Sequence, residues 1–292
     1  MRQTINGAEL RRMIISAAAS IEIHKQALNE LNVFPVPDGD TGTNMSMTIN
    51  SAAADLRKAE DPELYAASKI AEPTKPIGVV SVCAGAGLAD VFTNLGVDAI
   101  ISGGQTMNPS TQDILEAVNT VPAETVFVLP NNKNIIMAAQ QVDALTPKQV
   151  VVISSKTVPQ GVTAMLSFDP EGTVEANTQA MTDALATVDT MQITYAARNS
   201  DFDGYDIHQG DYLAMYGSAL FGTSQDINVL LQSLAEKVRD DGREYITIYY
   251  GCDIKEKHAQ RAADLFASIC PEAEVSLING GQPVYYYLIS AE

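Results

Sequence analysis

The sequence predicts an α/β protein in which an N-terminal helical hairpin precedes a two-lobed α/β unit. Three observations predict it. Two stretches near the N-terminus repeat apolar residues at helical spacing, a proline-bearing segment follows them, and from Ile77 onward short apolar runs alternate with helical patterns. Strand–helix alternation with short connections implies a parallel sheet covered on both faces. A chain of 292 residues is long enough for two cores. The division is a helical segment over 1–58, a linker over 59–76, a parallel-sheet lobe over 77–170 and a second α/β lobe over 171–292.

Asn6 is placed to cap a first helix over about Gly7–Leu31, whose apolar face carries Leu10, Met13, Ile14, Ala17, Ile21, Leu28 and Leu31. A second helix over about Thr43–Lys58 carries Met45, Ile49, Ala52 and Leu56. Plain helix packing accounts for both stripes. The dipeptides Asp61-Pro62, Glu72-Pro73 and Lys75-Pro76 mark the linker. Strands are expected at Ile77–Cys83, Ala99–Ile101, Thr125–Leu129 and Val150–Ile153, separated by helices near Ser110–Val118, Ile135–Val142 and Gly161–Phe168.

In the second lobe a helix over Thr173–Ala186 leads to strands at Gln192–Ala197 and Asp211–Tyr216, around a polar loop holding His208. Thr223 or Ser224 caps a helix reaching Asp240. Glu244–Tyr250, Glu274–Ile278 and Val284–Ser290 read as strands, and Lys255–Ile269 as a helix. Neighbouring tyrosines at 249–250 and 285–287 must alternate faces.

Two polar loops follow strands of the first lobe, where open parallel sheets bind ligands. One contains Gly104, Gln105, Thr106, Asn108 and Ser110; the other contains Asn131, Asn132, Lys133 and Asn134. They lie on the same sheet edge, so either a shared surface site or two independent helix caps would explain them. Ala84-Gly85-Ala86-Gly87 lacks the third glycine and the downstream acid of a dinucleotide loop, so tight packing of helix on strand is the expectation there. His24, His208 and His258 share no motif.

The formal net charge of −18 excludes a polyanionic nucleic acid as the main partner. No apolar run reaches the length of a transmembrane helix and no leader pattern precedes the first helix, so a cytoplasmic location is expected. Cys83, Cys252 and Cys270 are too scattered for a disulfide framework and are expected to be buried thiols.

The densest chemistry lies between the two N-terminal helices, at Asn32-Val33-Phe34-Pro35-Val36-Pro37-Asp38-Gly39-Asp40-Thr41-Gly42-Thr43-Asn44-Met45. The prolines stiffen the backbone, and Asp38 and Asp40 flank a glycine that lets both carboxylates turn toward one Mg²⁺. Thr41, Gly42, Thr43 and Asn44 open the next helix, whose free N–H groups attract phosphate. A loop in which Asp40 or Thr41 only caps a helix fits the composition equally well.

This string resembles the signature of the nucleotide-binding domain of the dihydroxyacetone kinase family, in the branch that supplies the ATP-binding subunit of bacterial fatty acid kinase. Gly103–Thr111, Pro130–Asn134 and Gly280–Pro283 are similar to the C-terminal region of that same protein. The resemblance implies that Asp38 and Asp40 hold Mg²⁺ and ATP. Val33 stands where dihydroxyacetone kinases have a third aspartate, which leaves Asn32 as the nearest polar substitute, and Thr41–Asn44 lie near the phosphates. It also implies transfer of the ATP γ-phosphate to a fatty acid carboxylate held on a separate fatty acid-binding subunit. Nothing after Lys58 supplies the rest of the family's helical barrel or its zinc-binding middle region. A kinase subunit impaired by that loss, and a non-catalytic module docking the fatty acid-binding partner, are the two functions the resemblance implies. A homodimer of hairpins is one way to complete the barrel.

Overall fold

The computed structural model describes residues 7–31, 41–58, 70–104, 108–202 and 204–292. The chain divides into two compact units, Met1–Ile70 and Ala71–Glu292. In the first, α1 (Gly7–Leu31) and α2 (Thr41–Lys58) pack as a hairpin. Small residues set the close approach: Ala18 and Ala53 are buried, and a Cβ on Gly42 would lie 2.2 Å from the Lys25 carbonyl oxygen. Asn29 fastens the turn end, where its Oδ1 accepts the Thr43 N–H at 3.0 Å and its Nδ2 donates to Thr43 Oγ1 at 3.1 Å. Further along, the Glu22 carboxylate accepts from Ser46 Oγ and from Asn50 Nδ2.

The second unit is α/β. Its first lobe contains β1 (Lys75–Cys83), β2 (Ala99–Ser102), β3 (Ala123–Leu129) and β4 (Gln149–Val152), parallel throughout and ordered β2-β1-β3-β4. The expected linker is shorter at its C-terminal end. Ala71 N–H and Thr74 N–H donate to the carbonyls of Asn119 and Pro122, and Lys75 pairs with Ala123, so these residues already belong to the sheet lobe.

Period-two alternation then sorts side chains to two cores. Val80, Val82, Val126 and Val128 face α4 (Thr111–Thr120) and α5 (Ile136–Gln140), while Ile77, Val79, Phe127 and Leu129 face α3 (Ala86–Asn94) and α6 (Val158–Leu166). Ser110 closes a capping box on α4, accepting from the Asp113 N–H at 3.2 Å while Asp113 accepts from the Ser110 N–H at 2.7 Å. Thr157 caps α6, which Pro159 helps to start.

At the other end of α4, buried Lys148 aims its ammonium at the carbonyls of Val118 (3.3 Å), Asn119 (3.4 Å) and Val121. Desolvation lowers its pKa. The side chain satisfies carbonyls that the last helical turn leaves open. Lys148→Met should therefore lower the unfolding free energy by about 2 kcal/mol, the cost of orphaning buried acceptors. A urea midpoint unchanged from the parent would count against this cap.

The second lobe is a mixed sheet, ordered β11-β10-β12-β5-β8-β9, built from β5 (Asp189–Tyr195), β8 (Tyr212–Tyr216), β9 (Ala219–Ser224), β10 (Tyr245–Tyr250), β11 (Glu274–Asn279) and β12 (Tyr287–Ala291). Beside it lie α7 (Val174–Ala184), α8 (Ile227–Asp240), α9 (Glu256–Ile269) and a small hairpin of β6 (Ser200–Phe202) and β7 (Tyr205–Ile207). The adjacent tyrosines do alternate faces. Tyr250 and Tyr287 join the core under α8 and α9, whereas Tyr249 and Leu288 project into the core of the first lobe. One sheet face thus buries helices and the other docks the lobes together.

Several expectations change in detail. Strands β6, β7 and β9 are additions to the sequence reading; each is short, polar or glycine-bearing. Asp226, rather than Thr223 or Ser224, caps α8 by accepting from the Asn228 N–H at 2.9 Å. The last strand starts at Tyr287 because Val284, at φ 70°, breaks the extended run. Cys83 and Cys270 are buried but Cys252 is exposed. Burial pushes the Cys83 thiol up to about 12. A thiol reagent should modify Cys252 rapidly and the other two only on unfolding; fast loss of Cys83 in the folded chain would contradict the packing of β1.

Candidate functional site

The parallel sheet reverses its strand order between β1 and β3, because β2 lies on one side of β1 and β4 on the far side of β3. Loops leaving the C-terminal ends of β1 and β3 therefore diverge, and such a point is where open α/β sheets take ligands. Here the chain builds a polar edge. Asn131, buried and at φ 53°, donates from Nδ2 to Ser81 Oγ at 3.0 Å and to the Val82 carbonyl at 2.9 Å. Its Oδ1 accepts from Ser155 Oγ at 2.7 Å, and its N–H donates to the same oxygen at 3.1 Å. One side chain thus ties β1 to the loops after β3 and β4. α6 closes over it so tightly that a Cβ on Gly161 would lie 2.1 Å from Asn131 Oδ1.

Asn132 Nδ2 donates to the Gly104 carbonyl, and Asn132 Oδ1 accepts the Asn134 N–H at 2.9 Å. The loops after β2 and β3 therefore meet, as two polar loops on one edge must. Lys133 and Asn134 are exposed beside them, and so is Lys156 in the loop after β4. Neither Lys133 nor Lys156 has an ion-pair partner among the described residues.

The second lobe closes this edge from the side. Its Asn279–Val284 loop lies against the start of α3, with the Leu88 N–H donating to the Gly280 carbonyl at 3.1 Å. A Cβ on Gly85 would lie 2.4 Å from the Gly280 oxygen, and one on Gly87 1.7 Å from the Asn279 oxygen. The glycines after β1 serve lobe docking. Val284 holds φ 70° while its carbonyl accepts from Thr194 Oγ1 at 3.0 Å. Asn131 and Val284 are the non-glycine residues with positive φ among those described, and both sit at this edge or its lobe junction. Stored backbone strain concentrates at functional sites.

The other residues singled out in the sequence fall elsewhere. Asp38, Asp40 and Asn32 lie outside the described residues, as do Gln105 and Thr106. Thr41 and Asn44 belong to α2; Gly42 and Thr43 in the same turn are engaged with α1 through Lys25 and Asn29. Asn108 is half-buried, and Ser110 is occupied as a helix cap. Sequence reading overlooks Ser81, Ser155, Lys156 and Val284. The rule that flags the other two loops, polar residues at a strand's C-terminal end, would find Ser155 and Lys156. On the opposite edge of the sheet a cleft of about 290 Å³ is lined by Ile77, Val79, Leu95, Phe168 and the Lys75–Asp98 ion pair. No group of three or more His, Cys, Asp or Glu side chains suited to a metal occurs among the described residues.

Residues 78–292 match the FakA-like C-terminal family, which takes its name from fatty acid kinase. The chain belongs to that family. Protein YloV of Bacillus subtilis is 43% identical over 219 residues, 75% of this chain and 39% of that protein. This chain thus spans about two fifths of the length of the curated relatives it matches. The DegV family protein Cg2579 of Corynebacterium glutamicum has the same fold, with a TM-score of 0.55 and 14% identity over 74% of this chain and 96% of that one. The Streptococcus pneumoniae fatty acid kinase B3 protein loaded with linoleic acid superposes with a TM-score of 0.51 and 11% identity, over 74% and 99%.

These findings correct the functional expectation. The match lies in the FakA-like C-terminal region, and the fold is that of DegV-family proteins rather than a nucleotide-binding helical barrel. The reading as a dihydroxyacetone kinase-like, ATP-binding kinase subunit is therefore set aside. With it goes the reading as a module docking a separate fatty acid-binding protein. The error has a physical source: the Asn32–Met45 string is local, whereas the family match rests on the sheet unit. No helix among the described residues is long and apolar enough to cross a membrane.

Proposed function

We propose that the Ala71–Glu292 unit is a non-catalytic acyl-ligand module that receives the head group of a fatty acid at the C-terminal edge of its parallel sheet. The observation that carries this reading is the polar edge itself. A chain of net charge −18 places two exposed lysines, Lys133 and Lys156, on loops after adjacent strands, beside Asn132 and Asn134. Such a surface favours a carboxylate, and cationic donors at a site raise the local concentration of an anionic ligand. The shared fold with the fatty acid kinase B3 protein loaded with linoleic acid supports the choice of an acyl ligand. A relation of this acyl ligand to fatty acid phosphorylation is in keeping with the family.

The test is lipid extraction from the purified chain followed by mass spectrometry. A stoichiometric fatty acid, lost from a Lys133→Glu/Lys156→Glu double variant, is the expected result. Extracts free of lipid, together with no uptake of added fatty acid, would refute the reading.

A further inference from the structure

We infer that the cleft at the N-terminal edge of the parallel sheet is a second ligand site, and that it takes an apolar α-amino acid. Its volume of about 290 Å³ lies at the small end of ligand sites. Ile77 and Val79 of β1, Leu95 at the end of α3 and Phe168 after α6 give it an apolar lining. Phe168 stands edge-on to Phe127 with ring centroids 6.2 Å apart, so packing fixes that wall before a ligand arrives. The charged residues in the lining are Lys75 and Asp98, which pair with each other. Asp98 is held by the backbone of β1: its Oδ2 accepts the Val79 N–H at 2.8 Å, and its own N–H donates to the Val79 carbonyl at 2.9 Å. Gly78 permits that approach, since a Cβ there would lie 3.0 Å from Asp98 Oδ2. The Lys75 side chain, by contrast, is 40% exposed and has room to swing.

This pair selects the ligand. A lone carboxylate would draw Lys75 away and strand Asp98, and a lone ammonium would take Asp98 and strand Lys75. A zwitterion inserts between the two and leaves no charge unpaired, and parting a partly exposed ion pair costs little. The ammonium belongs at Asp98, because α3 ends at this cleft and a helix C-terminus favours a cation. The ligand's side chain then lies against Ile77, Val79, Leu95 and Phe168, which suits an aliphatic or aromatic group and penalises a polar one. Asp169 and Glu171 flank Pro170 outside the lining, and Asp169 Oδ1 is engaged by the Glu171 N–H at 2.9 Å. The inference is independent of the acyl-ligand reading, which concerns the opposite edge of the sheet.

The test is calorimetric titration of L-leucine and L-phenylalanine into the full chain, with glycine, hexylamine and hexanoate as probes that each lack one feature. At least one of the two amino acids should bind saturably, and every reduced probe at least about tenfold more weakly. Lys75→Met should weaken the amino acid at least about tenfold and leave palmitate affinity where it was. In amide-resolved NMR the amino acid should shift Val79, Gly96 and Asp98 rather than Lys133 and Lys156. No saturable binding of either amino acid, hexylamine or hexanoate binding as tightly, Lys75→Met without effect, or shifts confined to the Lys133 and Lys156 edge would each overturn the assignment.

Discussion

Gly87→Ala should destabilise the Ala71–Glu292 unit by about 3 kcal/mol or more, because the new methyl meets backbone rather than a movable side chain. Its Cβ would stand 1.7 Å from the Asn279 carbonyl oxygen and 2.8 Å from that carbonyl carbon. The start of α3 must then withdraw from the second lobe, and the Leu88–Gly280 hydrogen bond goes with it. Gly96→Ala is the natural control. Gly96 has φ 93° but open space around it, so only the backbone preference is lost, about 1 kcal/mol. Denaturant midpoints of the two variants should differ widely; equal midpoints would mean that Gly87 does not hold the lobes at this distance.

Asn131→Ala should be comparably severe, at about 3 kcal/mol, since it removes a buried junction and leaves Ser81, Ser155 and the Val82 carbonyl short of partners. It also forces alanine into the left-handed region that asparagine tolerates. Asn131→Gly separates the two costs, for it keeps the backbone geometry and loses only the side chain. The glycine variant should be more stable than the alanine one by about 1 kcal/mol. Because the junction supports the proposed head-group edge, both variants should also lose ligand. Urea titration of the set checks the order; an alanine variant as stable as the parent would remove Asn131 from its central place.

Much of this architecture is legible in the sequence because it follows local rules. The apolar run Val79-Val80-Ser81-Val82-Cys83 reads as a fully buried strand, and α1, α2, α4, α6 and α9 follow their helical spacing to within a few residues. The convergence of the loops at Gly104 and Asn132 also follows, from parallel strands ending on one edge. What is not legible depends on partners distant in the chain. Nothing near Gly87 announces that Asn279 will lie against it, and nothing near Lys148 announces the open end of α4. Strand β9, Ala219-Leu220-Phe221-Gly222-Thr223-Ser224, is recognisable only once β8 supplies its hydrogen-bonding edge. The Asn32–Met45 string misleads for the opposite reason, as a strong local signal separate from the region that carries the family.

The central claim, an acyl head group held at the edge bearing Lys133 and Lys156, is tested most directly by calorimetric titration of palmitate into the full chain and into Lys133→Glu/Lys156→Glu. Saturable one-to-one binding to the parent is expected. The double variant should bind at least about tenfold more weakly, a loss of about 1.4 kcal/mol, while its denaturant midpoint stays unchanged because both lysines are exposed. Absence of saturable binding to the parent, or equal affinity in the double variant, would contradict it.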